Sequence, residues 1–94
     1  MGTMNRKRER LEVIWDILHI VRENRNSIRP TPLLRKSNLS SSSFADYYAE
    51  LLAKGFIVEI PEKNGMKYIS LTDKGFEYLQ KYDLILGFIR EFDL

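Results

Sequence analysis

Hydrophobic positions recur along this chain at two spacings, and the change between them divides the chain into elements. From about Asn5 to Asn24 the apolar residues follow the three-and-four spacing of a helix. They lie on two faces, with Leu11, Ile14, Trp15, Leu18 and Val21 on one and Val13, Ile17 and Ile20 on the other. One face can bury against a core, and the second needs another cover, either the C-terminal helix or a second subunit.

The stretch from Ser27 to Pro30 separates this helix from a second one. It is short and extended, because the residue before a proline avoids the helical region, and we expect at most a minor edge strand there. Thr31 then offers an N-cap and Pro32 a first helical position. The pattern therefore predicts a short helix that ends at about Lys36 or Ser37.

The run of four serines that follows is typical of a helix N-terminus. Ser40 or Ser41 caps a third helix, predicted to run from about Ser41 to Lys54 and to stop at Gly55. Its apolar residues have helical spacing, namely Phe44, Tyr48, Leu51 and Leu52. Only residues 37–39 separate it from the second helix, and Leu39 is expected to pin the two together. Two helices joined by so short a turn indicate a helix-turn-helix motif, with the third helix as its recognition helix.

Beyond Gly55 the pattern changes to that of strands. Residues 56–60 and 66–71 are rich in β-branched and aromatic side chains and flank an Asn-Gly pair at 64–65, which predicts a β-hairpin, or wing. Lys63 and Lys67 lie near its tip, where they can reach a neighbouring groove or phosphate. Charged hairpin tips also serve solubility alone.

A last helix is predicted from Thr72 to the C-terminus. Thr72 is its N-cap, Asp73 suits the positive end of the helix dipole, and Gly75 is a minor blemish in the first turn. Apolar residues repeat at spacings of three and four, as in a coiled-coil seam: Phe76, Leu79, Tyr82, Leu86, Ile89 and Phe92, broadened by Ile85 and Phe88.

A helix of about 22 residues would be a rod of roughly 33 Å, so much of it would project from a small domain. We therefore expect it to pair with its copy in a homodimer, although it could instead fold back onto its own domain. The predicted dimer contacts are Leu79, Tyr82, Ile85, Leu86, Ile89 and Phe92.

Composition narrows the class of protein. The chain has 94 residues, enough for one domain, with 44% hydrophobic and 30% charged residues. It has no cysteine and a single histidine, His19, so we expect neither a disulfide framework nor a metal site nor a cofactor. No Ser/His/Asp arrangement or glycine-rich phosphate loop is present, so we do not expect an enzyme.

The two ends of the chain carry further expectations. No apolar run approaches the roughly 20 residues of a membrane span, and the N-terminus is charged, so a cytoplasmic protein without a membrane contact is expected. Residues 1–3, before Met4, are expected to be a cloning remnant. Residues 4–71 would form the winged helix-turn-helix domain and residues 72–94 the C-terminal dimerisation helix.

Charge is distributed unevenly. Residues 1–36 hold nine Lys or Arg and four Asp or Glu, whereas residues 37–94 hold six and nine, so the first part is basic and the second acidic. A basic region of this kind indicates a polyanion partner. The cluster from Arg6 to Arg10 can touch phosphate, or it can be a solvated start of the first helix.

The chain resembles the archaeal winged helix-turn-helix proteins that dimerise through a C-terminal coiled-coil helix. The residues that carry the resemblance are Leu39-Ser40, Tyr47-Tyr48 with the run from Leu51 to Ile57, and the run from Tyr68 to Gly75. Some members of that group are abundant chromatin-type DNA binders and others are transcription regulators. The resemblance implies an α+β fold, mostly α, with three helices, a β-hairpin wing and a long C-terminal helix, and it implies binding of double-stranded DNA by helix 41–54 and the wing at 61–67.

The recognition helix departs from this group, whose members typically offer basic or amide side chains early in it. Here the corresponding places hold serines, Ala45, Asp46 and Glu50. Serine discriminates weakly between bases, so low base specificity is expected. The serine hydroxyls and the helix amides would contact phosphates, and the surrounding cations would supply the positive charge. The predicted DNA contacts are Arg29, Arg35, Lys36, Ser40, Ser41, Ser42, Ser43, Tyr47, Lys54, Lys63 and Lys67. The alternative is a winged-helix protein-protein interaction module that does not bind DNA.

Overall fold

The computed structural model describes the backbone of residues 2–94 and the side chains from Glu9 onward. The elements follow in the order α1 (Gly2–Glu23), α2 (Pro30–Ser37), α3 (Ser41–Ala53), β1 (Ile57–Pro61), β2 (Lys67–Leu71) and α4 (Asp73–Glu91). The predicted mostly helical α+β architecture with a hairpin is therefore confirmed. Among these helices, none has the length and apolar character needed to cross a membrane. The predicted cluster at Arg6 to Arg10 lies, apart from Glu9 and Arg10, outside the described side chains.

Helix α1 supplies the largest share of the core. Its fully or nearly fully buried residues are Ile14, Ile17, Leu18 and Val21. The predicted division into two faces is wrong, because Leu11 is 43% exposed whereas Ile17 is completely buried. Val13 and Ile20 pack against the same core. The cause is that α1 contacts α2, β2 and α4 at once, which requires an apolar arc wider than one face. The second face of α1 therefore gives no indication of a dimer.

Helix α2 begins two residues earlier than predicted. Arg29 is its N-cap, in an extended conformation, and Pro30 is its first residue. Thr31 is therefore an exposed residue inside the first turn, and its predicted role as N-cap is wrong. Both prolines have a φ suited to the first helical turn, so the sequence did not distinguish between them. Leu33 is buried, and Asn38 ends the helix in the left-handed region with φ of 63°.

Helix α3 begins at Ser41, as the serine run predicts, and ends at Ala53, one residue before the predicted end. The Ser40 hydroxyl oxygen accepts a hydrogen bond from the Ser43 backbone N–H at 3.2 Å, which is an N-cap. Phe44 and Leu51 are buried against the core. Lys54 is the C-cap, and Gly55 follows with φ of 78°, a left-handed conformation that favours glycine. The burial of one face thus fixes which residues α3 exposes.

The two strands form an antiparallel hairpin whose outer side is closed by a third piece of chain. Ile57 pairs with Leu71 and Ile60 with Tyr68. The predicted minor strand near Ser27 to Pro30 consists of one bridge, in which Ile28 N–H donates to the Ile69 carbonyl at 3.2 Å and Ile69 N–H donates back at 2.7 Å. Strand β2 is consequently the central strand.

Helix α4 begins at the predicted cap. The Thr72 hydroxyl oxygen accepts from Gly75 N–H at 3.1 Å and donates to the Gly55 carbonyl at 2.5 Å. Gly75 is not a blemish but a requirement, because a Cβ at this position would lie 2.3 Å from the Phe56 carbonyl oxygen. Thr72 and Gly75 together fix the start of α4 against the segment that enters the wing.

The apolar stripe of α4 is divided between two sides of the helix. Leu79 is completely buried in the core and is therefore unavailable to a second chain, which corrects its place among the predicted dimer contacts. Tyr82, Leu86 and Ile89 line a cleft with α1, so this part of α4 folds back onto its own domain. The outer side remains uncovered, with exposures of 73% for Leu84, 54% for Ile85, 56% for Phe88 and 57% for Phe92.

Candidate nucleic-acid interface

The N-terminal turn of α3 presents polar groups to solvent. Ser41, Ser42 and Ser43 are exposed, whereas the Ser40 hydroxyl is engaged in the cap. The first backbone N–H groups of a helix have no partner inside the helix and carry the positive end of its dipole. This turn can therefore donate hydrogen bonds to an anion through hydroxyls and through amides.

The remainder of the exposed face of α3 is small and slightly acidic. Ala45, Asp46 and Ala49 are exposed along it. Residues 41–53 contain no Arg, Lys, Asn or Gln, the residue types that read guanine or adenine bidentately. This helix has neither the charge nor the amide groups of a strong base reader.

Glu50 on α3 is held by two cations rather than left free. It accepts hydrogen bonds from Arg10 of α1 and from Lys54, the latter at 2.7 Å. These bonds, from Arg10 first and Lys54 second, lower the pKa of Glu50 to about 2. The cluster fixes α3 to α1, and it offsets the charge of Lys54, a predicted DNA contact.

A second carboxylate connects α3 with the wing. Glu59 on β1 accepts a hydrogen bond from the Tyr48 hydroxyl and pairs with Lys67 on β2 at 2.8 Å. Lys67, followed by Tyr48, lowers the pKa of Glu59. Burial, followed by the bond to Glu59, raises the pKa of Tyr48. Lys67 is thus engaged within the hairpin although it was predicted to contact DNA.

Arg29 joins the start of α2 to the tip of the wing. Its guanidinium pairs with Glu62 at 3.2 Å and donates to the Met66 sulfur at 2.8 Å. It also lies over the Tyr68 ring, 5.2 Å from the centroid. Arg29 therefore fixes the wing relative to α2 and keeps only part of its charge for an external anion.

The remaining predicted cations have no ion-pair partner among the described side chains. Arg35 and Lys36 in the last turn of α2, and Lys63 at the wing tip, are exposed and form no ion pair with any side chain from Glu9 onward. Tyr47 is half-buried and packs against the core. The predicted site residues thus fall into two groups, those engaged within the fold and those free for a ligand. The free group consists of Arg35, Lys36, Ser41, Ser43 and Lys63, whereas the exposed Ser42 hydroxyl lies 3.5 Å from the Ser40 hydroxyl.

Sequence reasoning missed the three carboxylates that pair with predicted cations, namely Glu50, Glu59 and Glu62. The pair of Glu50 with Lys54 has a readable spacing of four on a helix. Arg10 is 40 residues away from Glu50, and no local pattern signals such a contact. Among the described residues, no group of three or more acidic or imidazole side chains could hold a metal ion.

The arrangement of helices, turn and wing defines the class of protein. Residues 7–88 match the family described as winged helix-turn-helix, and the chain therefore belongs to that family. Its fold is similar to that of the reduced form of MarR from E. coli, with a TM-score of 0.71 and 20% sequence identity over 88% of this chain and 70% of the other. At that identity the likeness shows the fold alone. The comparison with curated proteins gave no match.

Proposed function

We propose that this protein is a dimeric DNA-binding protein, a transcription regulator or chromatin-type component, that contacts duplex DNA with the first turn of α3 and with the wing. The observation that carries the proposal is the combination of exposed serines at the start of α3 with the unpaired Arg35 and Lys36 just before the turn. In this arrangement the serine hydroxyls, the helix amides, the Arg35 guanidinium and the Lys36 ammonium group can all donate hydrogen bonds to phosphate oxygens.

The contact is mainly with the DNA backbone and has low base specificity. Helix α3 offers serine and alanine where base-reading helices offer long polar side chains. Lys63 adds a phosphate contact from the wing. Affinity for such a site comes from counterion release, so it falls steeply as salt rises.

Dimerisation uses the outer face of α4. Ile85, Phe88 and Phe92 are more than half exposed, and the last two rings contact each other with centroids 4.8 Å apart. An apolar patch of this kind on the outer side of a helix favours a second copy of the same helix, as in a symmetric dimer. Residues 4–71 then form the DNA-binding unit and residues 72–94 the dimerisation helix.

The DNA contact is tested by titration with a duplex at several salt concentrations. We expect an affinity that falls with salt, and a loss of at least about tenfold in the Arg35→Glu/Lys36→Glu variant, because each charge reversal replaces a phosphate attraction by a repulsion. The matched control is Lys81→Glu/Arg90→Glu, with the same change of charge on α4; when sedimentation shows the same association state as the wild type, it should bind DNA as the wild type does. Absence of binding at low salt, or an unchanged affinity after the reversal at Arg35 and Lys36, would overturn the proposal.

The dimer is tested separately by sedimentation. The wild type should sediment as a dimer and the Phe88→Asp variant as a monomer, whereas Val58→Asp, at an exposed apolar position on the wing, should leave the dimer intact. A wild-type protein that stays monomeric over the accessible concentrations would rule out the proposal that α4 is a dimerisation helix.

A protein-protein interaction module is the second candidate. The observation that favours it is the uncharged or acidic face of α3, with Ala45, Asp46 and Ala49 exposed. A chain that dimerises but shows no DNA affinity at low salt fits this candidate and not the first.

A further inference from the structure

A cleft between α1 and α4 lies apart from the serines and the wing used in the proposed DNA contact. Its volume is about 270 Å³, and it is lined by Glu12, Trp15, Asp16, Tyr82, Leu86 and Ile89. Drug-sized ligands occupy pockets of roughly 300 Å³ or more, so this cleft suits a smaller molecule. Its lining combines aromatic rings, aliphatic side chains and two carboxylates.

The aromatic wall of the cleft is fixed by the protein itself. The Trp15 indole N–H donates to Asp83 at 3.0 Å, and the His19 ring stacks on the indole with centroids 4.4 Å apart and planes 10° apart. Tyr82 lies next to the indole, with centroids 6.1 Å apart. A ring held in this way is already ordered before a ligand arrives, which reduces the entropy cost of binding.

The cleft carries negative charge on Glu12 and Asp16. Asp83, the acceptor of the indole N–H, is paired with Arg22 at 3.5 Å. Glu12 and Asp16 lie one helical turn apart on α1, and neither forms an ion pair with a described side chain from Glu9 onward. Burial first, and the neighbouring Glu12 second, raise the pKa of Asp16, as expected for two carboxylates near each other.

We infer that this cleft binds a small organic cation, an amine or quaternary ammonium carried on a compact apolar body. The faces of Trp and Tyr attract cations, the carboxylates add a charge of the right sign, and Leu86 and Ile89 suit the apolar part. An anionic ligand would meet repulsion from both carboxylates. A second copy is a poorer occupant, because Phe88 and Phe92, which it would offer from its own α4, carry no charge to match Glu12 and Asp16.

The single tryptophan makes the cleft directly observable. Trp15 is the only tryptophan of the chain, so its emission reports on this site alone. The probe is benzyltrimethylammonium, compared with benzyl alcohol and benzoate at pH 8. We expect a saturable change of emission with the cation, a much weaker response to the neutral compound, and none to the anion.

Two variants connect the response to the cleft. Asp16→Asn should weaken cation binding about fivefold, the upper end for one solvent-exposed charge contact. Asp46→Asn, with the same loss of charge on the exposed face of α3, should bind as the wild type does. Leu86→Phe, which fills the cleft, should abolish the response while circular dichroism shows the fold retained.

Several results would overturn the inference. One is the absence of a saturable response to the cation. Another is binding of the cation by Asp16→Asn that is as tight as by the wild type, and a third is binding of benzoate that is as tight as binding of the cation. An emission that changes with protein concentration, together with no response to the cation, would mean that a second copy occupies the cleft, which also overturns it. No DNA is present in the assay, so failure here leaves the proposed DNA contact untouched, and failure of that contact leaves this inference untouched.

Discussion

The backbone carbonyl oxygen of Phe56 occupies the place where a side chain on Gly75 would begin. A Cβ on Gly75 would lie 2.3 Å from that oxygen and 3.2 Å from a methyl carbon of Leu71. The same carbonyl accepts the Thr72 N–H at 3.1 Å, so it cannot move away without loss of a hydrogen bond. The start of α4 and the entrance of the wing are therefore packed too closely for a side chain at position 75.

Substitution of this glycine should destabilise the protein. We expect Gly75→Ala to lower the free energy of unfolding by about 1–3 kcal/mol, because the overpacking outweighs the better helix propensity of alanine. The measurement is urea unfolding. Gly87→Ala is the control, since a Cβ there meets nothing within 4 Å, and it should raise stability by up to about 1 kcal/mol. Equal effects of the two substitutions would show that backbone contact at Gly75 is not the cause.

The serine run contains one N-cap residue, Ser40, followed by serines that are exposed to solvent. Ser40→Ala removes the N-cap of α3 and should cost about 1 kcal/mol of stability, measured by thermal unfolding. Ser41→Ala removes an exposed hydroxyl that makes no hydrogen bond with a described side chain or backbone group, so its stability should stay within about 0.5 kcal/mol of the wild type. A Ser41→Ala variant as unstable as Ser40→Ala would contradict this division.

The pair of Arg10 and Glu50 should make stability depend on pH. The pKa of Glu50 is about 2 in the folded chain against a usual value of 4.5, so its contribution is complete above about pH 5 and is lost as the pH falls toward 2. Glu50→Gln should therefore lower the free energy of unfolding by about 1 kcal/mol at pH 7, after allowance for solvent screening, and by almost nothing near pH 2.

The control for this pH dependence is Glu77→Gln, which removes an exposed pair with Lys81. It should change stability by less than about 0.5 kcal/mol at any pH. A deficit of Glu50→Gln that is the same at pH 2 and at pH 7 would mean that packing of the side chain, and not its charge, is responsible.

Asp46 should oppose the DNA contact. It is exposed on α3, beyond the serines, where a carboxylate repels phosphate. Asp46→Asn should tighten binding of duplex DNA a few-fold at low salt, with a smaller gain at high salt, measured by fluorescence anisotropy. Asp93→Asn, near the end of the chain, is the matched control and should have no effect. A weaker affinity after Asp46→Asn would place Asp46 in a favourable polar contact instead.

Local patterns predicted the elements of the fold well. The serine cap, the Asn-Gly hairpin and the Thr72 cap are each specified by a few adjacent residues, and all three occur in the structure. The start of α2 was missed because two prolines competed for the same role. The need for glycine at position 75 was missed because it depends on Phe56, 19 residues earlier, to which no spacing rule applies.

The candidate site was less predictable for a related reason. The sequence shows which residues are cations, but the charge that each can offer depends on partners from other elements. Arg29, Lys54 and Lys67 are each held by a carboxylate, and only the pair of Lys54 with Glu50 follows a local spacing. The division of the α4 stripe has the same origin, since Tyr82, Leu86 and Ile89 face α1 across a cleft whereas Phe88 and Phe92 are exposed on the outer side.

The bridge between Ile28 and Ile69 has a consequence for how the sheet can grow. With Ile28 on the outer side of β2, the hairpin has one open hydrogen-bonding edge, along β1. That edge ends in Pro61, which has no N–H to offer, but Val58 and Ile60 are exposed on it. Any intermolecular sheet formed by the folded protein at high concentration should therefore extend in one direction only, from β1.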